Sequence, residues 1–372
     1  MKIETIAIHA GNTVDPHTGA VVTPLYLSTT FERDPDGGYS RGYQYSRGNT
    51  PNRAALEECL AALEGGEAAA AFSSGNAAAA AIFQSLSAGD HVIVPDDMYH
   101  GITFLLKDVF RRWKLEVSVV DMADVRNVEN AVRSNTRLIW IETPSNPLLK
   151  LYDIQKISAI AKKAKAVTVC DNTFATPVLQ RPFLLGADIS MHATTKYLGG
   201  HSDVLGGALV SHRNDDFFKQ VKEVQKLCGA VASPFDCFLT MRGIKTLPYR
   251  MKGHCENALK VAEFLASHPA VEMVHYPGLK TDPGYELAAR QMHGSGGMVS
   301  FLLKEGSEKA KAVANRTKVF TQATSLGGVE SLIEHRASVE GPDTKTPQNL
   351  LRLSVGLEHA DDLVEDLRQA MQ

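Results

Sequence analysis

The chain has 372 residues, enough to bury one large and one smaller core, and its acids and bases nearly cancel at a formal charge of −3. That balance, with both signs interspersed, excludes a basic nucleic-acid surface and a polybasic membrane patch. No apolar run reaches membrane-spanning length and the N-terminal MKIETIAIHAGNT lacks a signal-peptide core; five scattered cysteines without a CxxC pair read as reduced thiols in a cytoplasmic protein.

Residues 1–50 are rich in Thr, Gly, Tyr and Pro, carry little periodicity, and read as an extended arm that needs a surface to lie on. From 51 to 247, short apolar runs alternate with helical patterns. Ala68–Phe72 reads as a strand ending at Ser73, Ser74, Gly75 and Asn76, followed by an alanine-rich helix to about Leu86. His91–Val94 ends at Pro95, Asp96 and Asp97, with Tyr99 in the loop beyond. Leu115–Val120 precedes a helix near Asp124–Arg133, and Leu138–Ile141 ends at ETPSNP (142–147). A helix over Asp153–Lys165 leads to Ala166–Cys170, which ends at Asp171 and Asn172. Ile189–His192 runs into Thr194, Thr195, Lys196 and a glycine pair, and Ala208–Ser211 closes the series. Strands with so little polar alternation, separated by helices, predict an α/β fold with a mainly parallel sheet covered on both faces. Ligands of such sheets bind outside the carboxyl ends of the strands, where nearly every polar cluster falls. Beyond 248 the texture changes. A long amphipathic helix (Cys255–Ser267), strands near Val271–His275, Met298–Leu303 and Leu351–Val355, a helix near Lys309–Asn315 and a terminal helix from Asp361 predict a smaller C-terminal α+β domain, 248–372.

Four strand ends carry candidate chemistry. Lys196 follows two hydroxyls and precedes two glycines; a lysine desolvated in a pocket loses its proton and attacks aldehydes. Asp171 ends a buried strand. It reads as an Asx turn, or as a carboxylate held dry to pair with a protonated pyridine nitrogen. Gly75 and Asn76 open a helix, where free N–H groups and the helix dipole favour an anion; a plain N-cap reads the same way. Tyr99 serves either ordinary packing or stacking on an aromatic ring. Taken in order, a phosphate cradle, a stacking tyrosine, an aspartate and a lysine point to pyridoxal 5′-phosphate. No G-x-G-x-x-G follows the first strand, which argues against a nicotinamide cofactor.

The chain resembles the Cys/Met-metabolism (transsulfuration) family of pyridoxal-phosphate enzymes along its whole length. The motifs are YSRGNTPNR (45–53), SSGNAA (73–78), ETPSNP (142–147), DNTF (171–174), TKYLGGHSD (195–203), MRGIKTLPYRM (241–251), SLGGVESL (325–332) and LRLSVGLE (351–358). The resemblance implies the type-I fold of these enzymes and γ- or β-elimination or γ-replacement on a sulfur-containing or O-acyl amino acid. It implies that Lys196 carries the cofactor as a Schiff base and moves protons, Asp171 pairs with the ring nitrogen, and Tyr99 stacks on the ring and protonates the leaving group. Gly75, Asn76 and Thr195 would hold the phosphate, with Tyr45 and Arg47 reaching the phosphate of a neighbouring subunit. Arg352, with Asn146 and the backbone near Ser325, would grip the substrate α-carboxylate. A homotetramer follows from the resemblance; use of Tyr45 and Arg47 across subunits requires only a dimer. No metal is implied.

The departures concern specificity. Ala193 removes one hydroxyl that relatives direct at the phosphate. Members that handle cystathionine or succinylhomoserine often carry an arginine five residues past the tyrosine, where this chain has Phe104, and a glutamate before SLGG, where it has Thr324. Both losses favour a shorter or less polar γ-substituent, as in methionine or O-acetylhomoserine, against a cystathionine γ-lyase- or γ-synthase-like pocket. His100 is either a new polar contact or a solvated loop residue. Transamination or decarboxylation on the same fold, and a non-catalytic scaffold, are the competing classes; the first is disfavoured by the SLGG and LRLSVG segments, the second by the joint presence of Lys196, Asp171 and Arg352.

Overall fold

Seven strands form the larger sheet: β1 (Ala68–Phe72), β2 (His91–Pro95), β3 (Glu116–Val120), β4 (Thr136–Glu142), β5 (Val167–Asp171), β6 (Ile189–His192) and β7 (Gly207–Ser211), in the order 1-7-6-5-4-2-3. The structure is a computed structural model and describes residues 1–341 and 344–372. Only β7 opposes the other strands of this sheet, so the sheet is mainly parallel, as the uninterrupted apolar runs require. Alternate residues of β1 show why the runs lack polar positions: Ala70 and Phe72 join one apolar cluster, Ala69 and Ala71 the cluster on the opposite face. The alanines of β1 are small enough for helix Gly75–Gln84 to lie close.

Local signals set the helix starts. Ser74 caps Gly75–Gln84, its hydroxyl accepting the Ala77 N–H at 3.1 Å. Asp153 caps Ile154–Ala164 in the same way at Lys156. Three helices that the apolar pattern left unread have the same devices: Pro51–Glu64 starts at Thr50 and Pro51, Asp216–Cys228 at Asp215, and Pro234–Ile244 at Ser233 and Pro234. Within the first 50 residues a short helix, Ile3–His9, precedes chain with little regular structure.

Leu247–Ser267 begins earlier than its amphipathic stripe, because Pro248 fits the first helical turn, and it leads to a second sheet. That sheet comprises β8 (Val271–His275), β9 (Met298–Leu303), β10 (Thr321–Gln322), β11 (Leu332–His335) and β12 (Leu350–Ser354), in the order 10-11-12-9-8. The short β10 and β11 carry too few residues for a period to be read. Helices Leu247–Ser267, Gly306–Arg316 and Ala360–Met371 cover its core of Val299, Phe301, Leu351, Leu353 and Leu363. The sheets meet at the ETPSNP loop: Ser300 on β9 donates its hydroxyl to Pro147 O at 2.7 Å. This contact aims β11 and β12 at the carboxyl ends of β4 to β6.

Candidate active site

A cavity of about 460 Å³ opens at those strand ends, lined by Gly75, Asn76, Tyr99, Asn146, Asp171, Thr195, Lys196, Ser325 and Arg352. Nine of the residues singled out from sequence therefore share one space. Tyr45 and Arg47 do not reach it. Tyr45 is half exposed, the Arg47 guanidinium lies 6.0 Å above its ring, and Arg47 Nη1 donates to Lys226 O at 3.2 Å.

Lys196 stands just past β6, its Nζ donating to Ser325 Oγ at 2.6 Å. Burial, then the Arg352 guanidinium, push it down to about 8. Ser325 has a left-handed backbone at φ 83°, a conformation costly for a residue with a Cβ. Two contacts hold it there: the Lys196 ammonium on its hydroxyl and Arg352 Nη2 on its carbonyl at 3.1 Å. The next turn needs glycine, since a Cβ on Gly327, at φ 79°, would lie 2.7 Å from Tyr197 N.

Asp171 and Glu142 end neighbouring parallel strands as register partners. Both are buried, and burial raises both carboxyls; Asp171 raises Glu142 further. Each finds a task. Glu142 accepts the Tyr99 N–H with both oxygens, at 2.8 and 3.0 Å, fixing the start of helix His100–Phe104. Asp171 accepts the Thr173 N–H at 3.0 Å, so the Asx turn exists, yet the carboxyl still faces the cavity. Asp97, raised to about 6 by burial, accepts the Leu148 N–H at 3.0 Å and the Ser145 hydroxyl and so fixes the ETPSNP loop.

Arg352 enters from β12. It is 3 % exposed, and burial pushes it down to about 10. Its Nη1 donates to Asn146 Oδ1 at 2.8 Å, and Nη2 lies 2.6 Å from Glu334 Oε2 on the facing strand β11. Glu334, Glu142, Thr173 and Arg336 escaped the sequence reading. Glu142 stood last in a strand that looked finished at Ile141, and Arg336 stands in a stretch with no strand or helix signal. Phe104 is absent from the cavity lining. It is nearly half exposed and, one turn along the helix from His100, sets its ring edge-on to that of His100 with centroids 5.8 Å apart. Thr324 and His100 do line the cavity.

A family model described as Cys/Met metabolism PLP-dependent enzyme matches residues 4–372. The chain belongs to the Cys/Met-metabolism family of pyridoxal-phosphate-dependent enzymes. It is 52% identical to a cystathionine gamma-synthase of Mycobacterium leprae, over 99% of this chain and 96% of the relative. It is 46% identical to a cystathionine beta-lyase of Coxiella burnetii, over 99% of this chain and 97% of the relative. The solved structure of metB from Corynebacterium glutamicum superposes with a TM-score of 0.97 at 44% identity, covering 100% of this chain and 98% of the other. The protein is a pyridoxal-phosphate-dependent transsulfuration enzyme or carbon–sulfur lyase of this family, acting on small amino-acid substrates. Among the described residues no helix is long and apolar enough to cross a membrane, and no cluster of three or more His, Cys, Asp or Glu could hold a metal ion.

The residues fit the family's cofactor. Asp171 is a buried carboxyl beside a second one, an arrangement that a cationic ring nitrogen relieves. The loop before helix Gly75–Gln84 is built for close approach: a Cβ on Gly75 would lie 3.0 Å from the Ala193 Cβ, and one on Gly207 would lie 2.2 Å from Ser74 O. Thr195 Oγ1 accepts the Gly206 N–H at 3.0 Å, which holds its hydroxyl at the cavity wall. Lys196 has the depressed pKa that an aldehyde-capturing amine needs.

Proposed function

We propose that the enzyme works at Cγ of homoserine-derived amino acids, forming or cleaving cystathionine. The observation that carries this reading is the juxtaposition in one cavity of Lys196, Asp171 and Tyr99 with the Arg352–Asn146 pair. Relatives named cystathionine gamma-synthase and cystathionine gamma-lyase support it.

Bound pyridoxal phosphate supplies an electron sink for charge that develops on the substrate carbons. Gly75, Asn76 and Thr195 would hold its phosphate, Asp171 its ring nitrogen and Tyr99 its ring. Arg352 and Asn146 bind the substrate α-carboxylate and set Cα beside Lys196. Lys196 Nζ, with its pKa pushed down to about 8, takes the Cα proton and returns a proton further along the chain. Ser325 Oγ holds that amine in place between the two transfers. The Tyr99 hydroxyl gives a proton to the departing γ-group. Water exclusion by the buried walls of the cavity strengthens each of these contacts.

The site is completed by a second copy of the chain. Tyr45 and Arg47 lie outside the cavity of their own chain, and a dimer lets them reach the phosphate held by the partner. The same reading makes the assembly a homotetramer of two such dimers in the cytoplasm. Mixing Lys196→Ala with Arg47→Ala tests the cross-subunit role: hybrid dimers carry one intact site, and activity recovers to about a quarter of wild type. No recovery from two individually folded variants would remove it.

The function is tested with O-succinyl- and O-acetyl-L-homoserine, each with and without L-cysteine, and with L-cystathionine and L-methionine. Products are identified by mass spectrometry. Cystathionine formed or consumed faster than methionine is degraded is the expected result. Turnover of methionine alone would replace this reading with a methionine-lyase one, and full turnover by Lys196→Ala would end it.

A further inference from the structure

The cavity holds a second guanidinium with no task so far. Arg336 opens the short helix Arg336–Glu340 directly after β11, lines the cavity and is 3 % exposed. An arginine has five N–H donors. Three are taken here: Nε by Glu340 at 2.8 Å, Nη1 by Glu334 at 3.2 Å and Nη2 by His100 Nδ1 at 2.7 Å. The remaining two meet no acceptor among the described residues. Glu334 is also overdrawn. Its Oε2 serves both Arg336 and Arg352, while its buried Oε1 has no partner. Two buried cations thus share one oxygen of Glu334, and two Arg336 N–H groups remain without an acceptor among the described residues.

His100 adds a donor. A guanidinium only donates, so His100 Nδ1 must accept, and the imidazole is the neutral form with its proton on Nε2. Burial and the adjacent Arg336 charge both favour that form. No acceptor among the described residues takes the Nε2 proton. The ring lies edge-on to Tyr99 with centroids 5.1 Å apart, which places these donors beside the tyrosine that faces the departing group. Arg336 also lies near enough to Lys196 and Glu142 to act on both charges.

We propose that Arg336, with His100 as a second donor, binds a carboxylate at the far end of the substrate's γ-substituent, as in a succinyl ester or cystathionine. This rests on the reading that γ-substituted homoserine derivatives are the substrates. Glu340 and Glu334 grip the guanidinium from behind and fix its plane. Two arginines and two glutamates cancel by count, so recognition comes from directed N–H groups rather than from a positive field. Phe104, five residues past Tyr99, supplies no charge there and is absent from the cavity lining. A cation from a different segment, 236 residues from its partner His100, takes over the distal end.

Steady-state kinetics with L-cysteine and either O-succinyl- or O-acetyl-L-homoserine tests this on the holoenzyme. The readout is the ratio of kcat/KM for the two esters. In Arg336→Gln the ratio falls about 10- to 100-fold, through KM for the succinyl ester, as expected for loss of a charge-assisted hydrogen bond. His100→Phe lowers the ratio by less, and Arg336→Lys restores part of it. An equal fall for both esters would mean that Arg336 only props Glu334 and Arg352, and would overturn the proposal. So would an unchanged ratio. If Arg336→Gln fails to retain the cofactor's absorbance, the His100→Phe ratio decides alone. A wild-type enzyme inert toward both esters and cystathionine would instead sink the underlying reading, and this proposal with it.

Discussion

Lys196 should titrate near pH 8 in the cofactor-free protein, against 10.5 for an ordinary lysine. Burial of the ammonium is the larger cause and the Arg352 charge the second. At pH 7 about one in ten Lys196 side chains is then neutral, compared with about one in three thousand for a lysine at 10.5, a gain of about 300-fold in the nucleophilic form. The sign for stability follows from the same values. A lysine whose folded pKa is lowered stabilises the fold fully only above its unfolded pKa, and that contribution is lost as pH falls to about 8. The cofactor-free protein should therefore gain about 3 kcal/mol between pH 8 and 10.5 relative to Lys196→Met. Stopped-flow capture of pyridoxal phosphate across this range reads the amine directly. The capture rate should rise with a midpoint near 8, and Arg352→Met should move the midpoint up without bringing it to 10.5. A midpoint near 10 in the wild-type protein would show that the cavity is too wet to desolvate the amine, and the argument would fail.

Gly207→Ala places a Cβ 2.2 Å from Ser74 O and 2.7 Å from Gly75 N, so it should shift the phosphate loop and weaken cofactor binding by about 10-fold or more, measured by equilibrium dialysis. Arg352→Lys loses the planar fork at Asn146 and Ser325; kcat/KM should drop about 10- to 100-fold for every α-amino acid tested, chiefly through KM. Asp97 has its pKa raised to about 6, so the stability it contributes is full below about pH 4 and is lost as pH rises through about 6. Denaturant titrations of the cofactor-free protein should show that loss, of about 3 kcal/mol, and Asp97→Asn should flatten it.

The site was legible where chemistry sits at strand ends of the large sheet. Gly75, Tyr99, Asp171 and Lys196 each follow an apolar run, and a parallel sheet delivers such ends to one edge. Thr195 and Asn146 came with their motifs. The parts contributed by the second sheet were harder to read. Arg352 was found through resemblance, whereas its ion-pair partner Glu334 depends on antiparallel register between two short strands. Arg336 was invisible because its importance arises only when a five-residue helix turns it toward His100. Phe104 was read as a specificity position through the resemblance, and it packs on the His100 ring without itself lining the cavity.

The contact between Arg352 and Asn146 closes a loop of 206 residues, and the one between Lys196 and Ser325 closes 129. Such closures add little to the thermodynamic cost of folding, because loop entropy grows only with the logarithm of length. They do weigh on the order of events. A nascent chain that has emerged only as far as β7 already owns Lys196, Asp171 and the glycine cradle, yet has no grip on an amino acid. The residues of one chain assigned to the cofactor are thus all made before the second sheet, and it is that last sheet, rather than the first, that brings Arg352 to the amino acid.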